Sequence, residues 1–376
     1  MNRIVTLEYA DLLKAPSPTT IADIEAAFGV TGLGLLLVRG VPNFAQARAA
    51  ALPHAFTFGT LPKSTLDKYE HAASSFSFGW SHGKEKLGGK PDSAKGSFYF
   101  NPILDEPDAI RNELTLDPSL APFLHSNIWP TVTDAPEFEQ DIKILSRLMV
   151  ETGAILAPHV DAFTASFLKN RGASLPIPSA TLECVIRDSL THKGRLLYYF
   201  SSSSSSSNTD TGIDTDTNND SVDSWCGWHN DHSSLTALTP ALYFDHLGHQ
   251  TIPKDTKGGL YIRARDGTTV RAVIPSDCLA FQIGEAAQIM SGGSLQATPH
   301  CVRASSDTTL SRGTLAVFCG PEHSARMNSP EGAHNDDILK GAQGELLPQG
   351  VPTLFSRWKS TDTFREFSLR TLASYY

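Results

Sequence analysis

The stretch Gly-Trp-His-Asn-Asp-His at residues 227–232 is the most informative part of the amino-acid sequence. We predict that it lies on a β-strand, where side chains two residues apart project from the same face. His229 and Asp231 could then reach one point in space. An imidazole and a carboxylate on one face supply two of the three ligands of a facial metal site. The His-x-Asp pattern alone is weak evidence, because it occurs often by chance.

The candidate for the third ligand is His300, in the stretch Ala-Thr-Pro-His-Cys-Val at residues 297–302. Several expected strands separate it from His229, so a layered β-fold could bring the two imidazoles together. A lone histidine is more often an ordinary core or surface residue. Three protein ligands on one face of an octahedral metal leave three positions open, as O2 and a bidentate co-substrate require.

The segment after His300 adds a candidate anion site. Residues 312–318 predict a strand with Arg312 and Thr314 on one face, where a guanidinium and a hydroxyl can clamp a carboxylate. An arginine inside a barrel is costly without an anionic partner. Arg303 also begins an Arg-x-Ser pattern, but its odd offset from His300 points it to the opposite face, so we favour Arg312.

The periodicity of the chain predicts an α+β fold. Apolar residues at helical spacing indicate a long scaffold helix at 136–170 that covers a sheet. After Leu182, short β-like runs alternate with turns, which is typical of a jelly roll, or double-stranded β-helix. These runs are 183–187, 195–200, 235–245, 258–265, 268–275, 278–284 and 313–321. Further helices are expected at 19–28, 44–54 and 361–376, and a strand is expected at 34–38.

We expect a single functional domain spanning 1–376. Its parts are an N-terminal helical and strand region at 1–135, the scaffold helix at 136–170, a jelly-roll catalytic core at 180–320, and a C-terminal extension with a helix at 321–376. Residues 201–224 hold seven consecutive serines and five aspartates without a basic residue. Such a composition predicts a mobile loop within the core.

Composition narrows the function classes. Of 376 residues, 40% are hydrophobic and 19% charged, which is enough apolar material for a sizeable core. The net charge of -9 and the lack of a basic cluster disfavour a nucleic-acid partner. No apolar run is long enough to cross a membrane, and the start lacks a secretory signal. With five scattered cysteines, these features predict a cytoplasmic protein with reduced thiols. Nothing in the sequence requires more than a monomer.

Together, these residues resemble the iron- and 2-oxoglutarate-dependent dioxygenases of the isopenicillin N synthase-like superfamily, also called plant-type or clavaminate synthase-like dioxygenases. The resemblance covers nearly the whole chain. Segments similar to that family are Val-Arg-Gly-Val-Pro at 38–42, Phe-Gly-Trp at 78–80, Lys-Glu-Lys at 84–86, Lys-Gly-Ser-Phe at 95–98 and Asn-Ile-Trp-Pro at 127–130.

The resemblance implies roles for six residues. The Fe(II) ligands would be His229, Asp231 and His300, while the far carboxylate of 2-oxoglutarate would be held by Arg312, Thr314 and Tyr199. Two departures stand out. Leu197 replaces the asparagine that usually precedes the family's tyrosines, and the serine-rich segment follows Phe200 directly. Neither departure removes a metal ligand.

The implied reaction consumes 2-oxoglutarate and O2, releases succinate and CO2, and hydroxylates, desaturates or cyclises a small-molecule substrate. Two alternatives stay open: an oxidase of the same fold that uses no 2-oxoglutarate, and a non-catalytic binding or sensor protein on this scaffold. Candidates for the substrate wall are Trp80, Lys84, Lys86, Phe98 and Tyr99.

Overall fold

A computed structural model describes residues 4–84, 86–87, 90–107, 111–201, 224–254, 257–339, 347–348 and 350–375. The expected mobile loop at 201–224 lies outside this range except at its two ends. Within it, the β-strands are β1 Val5–Glu8, β2 Leu35–Arg39, β3 Gly79–His82, β4 Lys86–Leu87, β5 Lys90–Pro91, β6 Lys95–Phe100, β7 Lys193–Tyr199, β8 Ser224–His229, β9 Leu235–Leu238, β10 Leu242–Phe244, β11 Gln250–Thr251, β12 Gly259–Arg263, β13 Thr269–Ala272, β14 Cys278–Ile283, β15 His300–Arg303 and β16 Ser311–Cys319.

Two sheets face each other to form the predicted jelly roll. The larger has the strand order β1-β2-β14-β9-β16-β7-β6-β3, with β10 paired to β16 and β11 paired to β10. The smaller has the order β13-β12-β15-β8, and β4 pairs with β5 separately. Apolar side chains from both sheets form one inner cluster, with Leu197 and Ala280 from the larger sheet and Trp225, Ile262 and Val302 from the smaller. The α+β jelly-roll prediction is therefore confirmed.

The α-helices are α1 Tyr9–Leu12, α2 Pro18–Phe28, α3 Phe44–Ala51, α4 Pro53–Gly59, α5 Lys63–Leu66, α6 Glu113–Leu116, α7 Phe138–Asn170, α8 Leu182–Asp188, α9 Glu285–Met290, α10 Asn335–Leu339, α11 Leu354–Arg357 and α12 Phe364–Tyr375. None of them, within the residues given above, is long and apolar enough to cross a membrane.

A second apolar core joins the larger sheet to the helices on its outer face. It contains Leu36 of β2 and Leu196 of β7 together with Phe58 of α4 and Phe138 and Leu145 of α7. The scaffold helix thus covers the sheet, as the helical spacing of its apolar residues predicts. The larger sheet has one face toward these helices and the other toward the smaller sheet. The candidate site lies between the two sheets.

Two predicted elements differ in the structure. The helix expected at 44–54 is interrupted, because Pro53 starts a new helix and lacks the N–H that a continuous helix needs. The strand expected at 183–187 is instead part of α8. The Thr181 hydroxyl accepts from the Cys184 N–H, and the carboxylate of Asp161 accepts from the first two N–H groups of this helix at 2.8 and 2.9 Å. These caps outweigh the β-propensity of the segment.

Candidate metal centre

The two candidate imidazoles lie on adjacent strands. His229 is the last residue of β8 and His300 the first of β15, and the antiparallel register places them directly opposite each other. Their ring centroids are 4.3 Å apart. Asp231, in contrast, lies beyond the end of β8, so the prediction that it shares a strand with His229 was wrong. The chain leaves the strand because the Glu285 N–H donates to the Asp231 carbonyl at 2.8 Å.

The three candidate ligands nevertheless converge. Oδ1 of Asp231 lies 3.8 Å from Nε2 of His229 and 3.7 Å from Nε2 of His300. All three ligand atoms lie within 4.8 Å of one another. Atoms at such separations can each stand about 2.1 Å from one central ion. Two imidazoles and one carboxylate with an open side form the donor set typical of non-haem Fe(II) sites.

Hydrogen bonds fix the orientation of both imidazoles. Nδ1 of His229 lies 2.8 Å from the Gly227 carbonyl, which can only accept, so Nδ1 carries the proton and Nε2 is available to a metal. Nδ1 of His300 lies 3.2 Å from the Thr298 carbonyl, which can only accept, so the proton belongs on Nδ1 here as well. The Gln282 side-chain amide lies 2.6 Å from the same atom and holds the ring in place. Such outer partners set the tautomer and aim of metal-binding histidines.

The carboxylate of Asp231 is held in the same way. The Thr236 hydroxyl donates to its Oδ2 at 2.7 Å, which leaves Oδ1 toward the histidines. Burial acts to raise the pKa of Asp231, but His300, His229 and this hydroxyl together lower the pKa below its usual value. Asp231 is therefore ionised at neutral pH, as a metal ligand must be.

The two histidines differ in charge when no metal is present. Burial acts to lower the pKa of His229, but the neighbouring Cys226 and Asp231 raise it to about 9. Burial and the nearby His229 lower the pKa of His300 to about 4, against the opposing effect of Asp231. A proton thus occupies part of this site at neutral pH, and a divalent cation would displace it.

The candidate anion clamp lies on β16, facing the inner cluster. Arg312 stands opposite Tyr199 of β7 in the strand register, with its guanidinium carbon 4.9 Å from the tyrosine ring. The arginine side chain is only 7% exposed, and its Nε and Nη1 atoms have no hydrogen-bond partner among the described residues. A buried guanidinium with unsatisfied donors is costly unless an anion binds it. These donors fit a carboxylate ligand.

The other two candidate clamp residues lie on the same inner face as Arg312. Thr314 lies two residues further along the same inner face, and its hydroxyl donates to the Thr239 carbonyl at 3.1 Å. Burial raises the pKa of Tyr199, so this phenol is neutral and able to donate a hydrogen bond. The competing Arg303 lies on the opposite face of β15, with its guanidinium 4.4 Å from the Tyr261 ring. Side-chain alternation along the predicted strands had indicated these faces for both arginines.

Two of the expected substrate-wall residues were predicted wrongly. Trp80 and Phe98 belong to the outer core, where both rings pack against Phe58 of α4. Strand alternation explains this, because Ser97 and Tyr99 on either side of Phe98 in β6 point inward, and Trp80 stands opposite Phe98 on β3. Lys84 forms an ion pair with Glu70 at 2.8 Å. The side chain of the last candidate, Lys86, lies outside the described parts of the chain.

Tyr99 is the candidate that faces inward. It stands opposite Arg195 of β7, whose guanidinium carbon lies 4.9 Å from the phenol ring. Arg195 also donates to the Ser97 hydroxyl at 3.0 Å, so three polar side chains line this part of the inner face. Arg195 was not predicted as a site residue, although its even spacing from Tyr199 on a predicted strand was a usable signal.

Gln282 and Thr236 were also missed. Gln282 is the single polar residue in the otherwise apolar strand Cys278–Ile283, and it is fully buried. A buried polar residue in such a strand requires a partner, and this one contacts the ring of His300. Thr236 carried no comparable signal, because threonine is common in any strand.

Solved structures share this fold, although the sequence matches no family model and no curated protein. A full-length Neurospora crassa protein, solved in complex with alpha-KG (2-oxoglutarate) and 5-formyluracil, is similar over 99% of this chain and 96% of its own, at 16% identity and a TM-score of 0.63. A 2OG-Fe(II) oxygenase family protein from Caulobacter crescentus matches over 99% of both chains, at 16% identity and a TM-score of 0.63.

The rice dioxygenase for auxin oxidation gives a similar result, with 99% of this chain and 96% of its own covered, 15% identity and a TM-score of 0.58. The jelly roll of this chain, with its helices at both ends, is thus the fold of 2-oxoglutarate- and Fe(II)-dependent oxygenases. At this level of identity the likeness shows the fold alone, since one fold can carry many different chemistries.

Proposed function

We propose that the protein is a non-haem Fe(II)- and 2-oxoglutarate-dependent oxygenase that acts on a small molecule. The observation that carries this proposal is the buried Arg312, whose Nε and Nη1 donors lack a partner, within the described residues, on the inner face where the candidate ligands also lie. A metal site alone would be compatible with an oxidase or a binding protein. A metal site combined with an unsatisfied guanidinium fits a co-substrate that chelates the ion at one end and carries a second carboxylate at the other.

In this proposal each residue has a defined task. Fe(II) would be held by His229, Asp231 and His300, and the distal carboxylate of 2-oxoglutarate by Arg312, with Thr314 and Tyr199 beside it. The donor set fits Fe(II), because imidazole nitrogen and carboxylate oxygen both suit this ion and leave a face open. The solved Neurospora crassa structures contain alpha-KG within the same fold, which supports the assignment.

Bound Fe(II), with 2-oxoglutarate and O2, supplies the oxidising chemistry, which yields succinate, CO2 and an oxidised substrate. The protein contributes position and environment. Arg312 orients the co-substrate by charge-assisted hydrogen bonds at its far end. Thr236 and Gln282 keep the ligand atoms of Asp231 and His300 aimed at one point. The apolar cluster between the sheets, including Trp225, excludes water from the reacting groups.

The proposed substrate is a small molecule that is hydroxylated, desaturated or cyclised. Neighbours of this fold were solved with such ligands, since one Neurospora crassa structure contains thymine and the JOX2 structure contains JA beside 2OG and Fe. In this chain, Tyr99, Arg195 and Ser97 supply polar groups on the same inner face as the clamp. They would contact the substrate beside the metal.

The direct test is an anaerobic titration of the protein with Fe(II) and 2-oxoglutarate, followed by admission of O2 with a metabolite panel. We expect a visible charge-transfer band before O2 and succinate afterwards, with extra succinate in the presence of a true substrate. Intact iron binding with no 2-oxoglutarate-dependent band would contradict the co-substrate assignment and favour the oxidase alternative. Protein that binds neither would leave only the binding or sensor alternative.

A further inference from the structure

A buried ion pair connects the C-terminal region to the jelly roll. Arg357, at the end of α11, donates to Glu285 at the start of α9 through two hydrogen bonds of 2.7 and 2.6 Å. Their side chains are 1% and 0% exposed. Removing two charges from water is costly, so such a pair persists only with near-ideal geometry and further hydrogen bonds. Both residues make such further hydrogen bonds.

One of the further hydrogen bonds leads to the metal ligands. Oε1 of Glu285 also accepts from Nδ2 of Asn230 at 3.0 Å. Asn230 is 4% exposed and lies between His229 and Asp231 in the chain. The backbone N–H of Glu285 donates to the Asp231 carbonyl as well. A single residue, Glu285, thus holds the segment between two candidate ligands through both its side chain and its main chain.

The backbones approach closely at this point. A Cβ on Gly284, the residue before Glu285, would lie 2.0 Å from the Ser233 carbonyl oxygen. The start of α9 is therefore packed directly against the loop that follows β8, with no space for a side chain between the two backbones.

The other end of the pair is fixed by the C-terminal helix. Nη1 of Arg357 donates to the Thr371 hydroxyl at 3.0 Å, within α12. The same helix reaches the metal segment a second time, since the Ser368 hydroxyl lies 2.9 Å from Nε2 of His232. Asn230, before Asp231, is therefore held by Glu285, the partner of Arg357, and His232, after Asp231, is held by α12 directly.

We propose that Glu285 is a positioning residue and that the C-terminal region, acting through Arg357, sets the geometry and the metal affinity of the His229, Asp231 and His300 site. This inference rests on the proposed metal centre. It assigns to residues 351–375, far from the ligands in the chain, a role in metal binding. Neither Glu285 nor Arg357 touches the ion in this proposal. Both act by holding Asn230 and the main chain of Asp231.

The test uses Co(II) as a spectroscopic probe of affinity and coordination in the full-length protein. Asn230→Ala removes the side-chain contact to Glu285 and leaves the ion pair and the main-chain hydrogen bond to Asp231 intact. The double variant Glu285→Leu, Arg357→Met replaces the pair by apolar side chains, which avoids leaving one buried charge unpaired. We expect Co(II) affinity to fall about 10- to 100-fold in both, as is typical for outer partners of metal ligands, with a changed visible d–d spectrum.

The matched control is Arg365→Gln in α12. It removes the ion pair between Arg365 and Asp117, and this pair does not contact the metal segment. Its Co(II) affinity should stay within about twofold of wild type. Wild-type affinity and spectrum in both test variants would overturn the inference, and so would an equal loss in Arg365→Gln, since this would reveal general loosening. If the double variant does not fold, Asn230→Ala decides the question.

These results are separable from the proposed function. Wild-type protein that binds Co(II) but shows no 2-oxoglutarate-dependent chemistry would contradict the oxygenase proposal and leave the positioning role intact. Succinate production by the wild-type protein, together with unchanged Co(II) binding in Asn230→Ala, would support the oxygenase proposal and contradict the positioning role.

Discussion

Arg312 is the residue on which the choice of co-substrate depends. Replacing it by alanine would remove a charge-assisted contact inside a buried pocket, at a cost of about 2–5 kcal/mol. The affinity for 2-oxoglutarate should therefore fall roughly 30-fold to several thousand-fold, while Fe(II) binding persists. The measurement is the charge-transfer absorbance of the anaerobic Fe(II) protein during titration with 2-oxoglutarate.

The chain offers a matched control for this prediction in Arg303, which packs over Tyr261 on the other face of its strand. Arg303→Ala should change the affinity for 2-oxoglutarate by less than about threefold, since an exposed or outward contact contributes little. A larger effect of Arg303 than of Arg312 would mean that the clamp is assigned to the wrong arginine.

The three candidate ligands make a second prediction at this scale. His229→Ala, Asp231→Ala and His300→Ala should each abolish Fe(II)-dependent turnover and lower Fe(II) binding, measured by anaerobic equilibrium dialysis against a weak chelator. The far-UV circular dichroism should stay unchanged, because the sheets frame the site without the metal. The exposed His246 provides the control, and His246→Ala should bind iron as wild type does. If one of these variants bound Fe(II) as tightly as the wild type, the substituted residue would not be a metal ligand.

The residues around the site show how far sequence reasoning reaches. Side-chain alternation along a strand was sufficient to place Arg312 inward and Arg303 outward. It was not applied to Phe98, because no strand was predicted around that residue. Glu285 and Arg357 carry no local signal at all. Their pairing depends on two helices that meet only in the folded chain, and no periodicity in the sequence encodes such a contact.

Among the elements, α8 shows capping prevailing over propensity. Its residues favour a strand, but Leu182, Val185 and Ile186 are buried at helical spacing and the Thr181 hydroxyl caps the first turn. Thr181→Ala should lower the free energy of unfolding by about 1 kcal/mol, measured by urea denaturation. Thr181→Ser keeps the hydroxyl and should be close to wild type. Equal stability of all three proteins would show that the cap of Asp161 alone is sufficient.

The long strands and the scaffold helix were predictable because each has a sustained period, and tertiary contacts do not oppose it. The loop after β8 was not, since its path is determined by main-chain hydrogen bonds to α9 and β16 that come from distant parts of the sequence. Asp231 therefore reaches the site by a turn of the chain, although the sequence favoured a straight strand. The three candidate ligands converge as predicted, although the path of the chain from His229 to Asp231 was predicted incorrectly.

For the whole molecule, ligand binding should raise the free energy of unfolding. A ligand at about 100 times its dissociation constant adds about 2.7 kcal/mol, which for a chain of this length corresponds to a rise of about 3 °C in Tm. We expect Co(II) to raise the Tm and 2-oxoglutarate to raise it further, in differential scanning calorimetry. Asp231→Ala should show neither shift. A 2-oxoglutarate effect that persists in that variant would indicate binding outside the proposed centre.

The position of β8 has one more consequence. In the strand order of the smaller sheet it is the terminal strand, and its pairing with β15 is interrupted by register shifts. An ion bound by both His229 and His300 would join the two strands as a removable cross-link at the end of this weak ladder. Amide hydrogens at 225–229 should then exchange with deuterium faster after chelation, while those of β14 in the larger sheet keep their rates. Loss of iron would thus reduce the protection of backbone amides in β8 alone, and mass spectrometry could measure this change without any substrate.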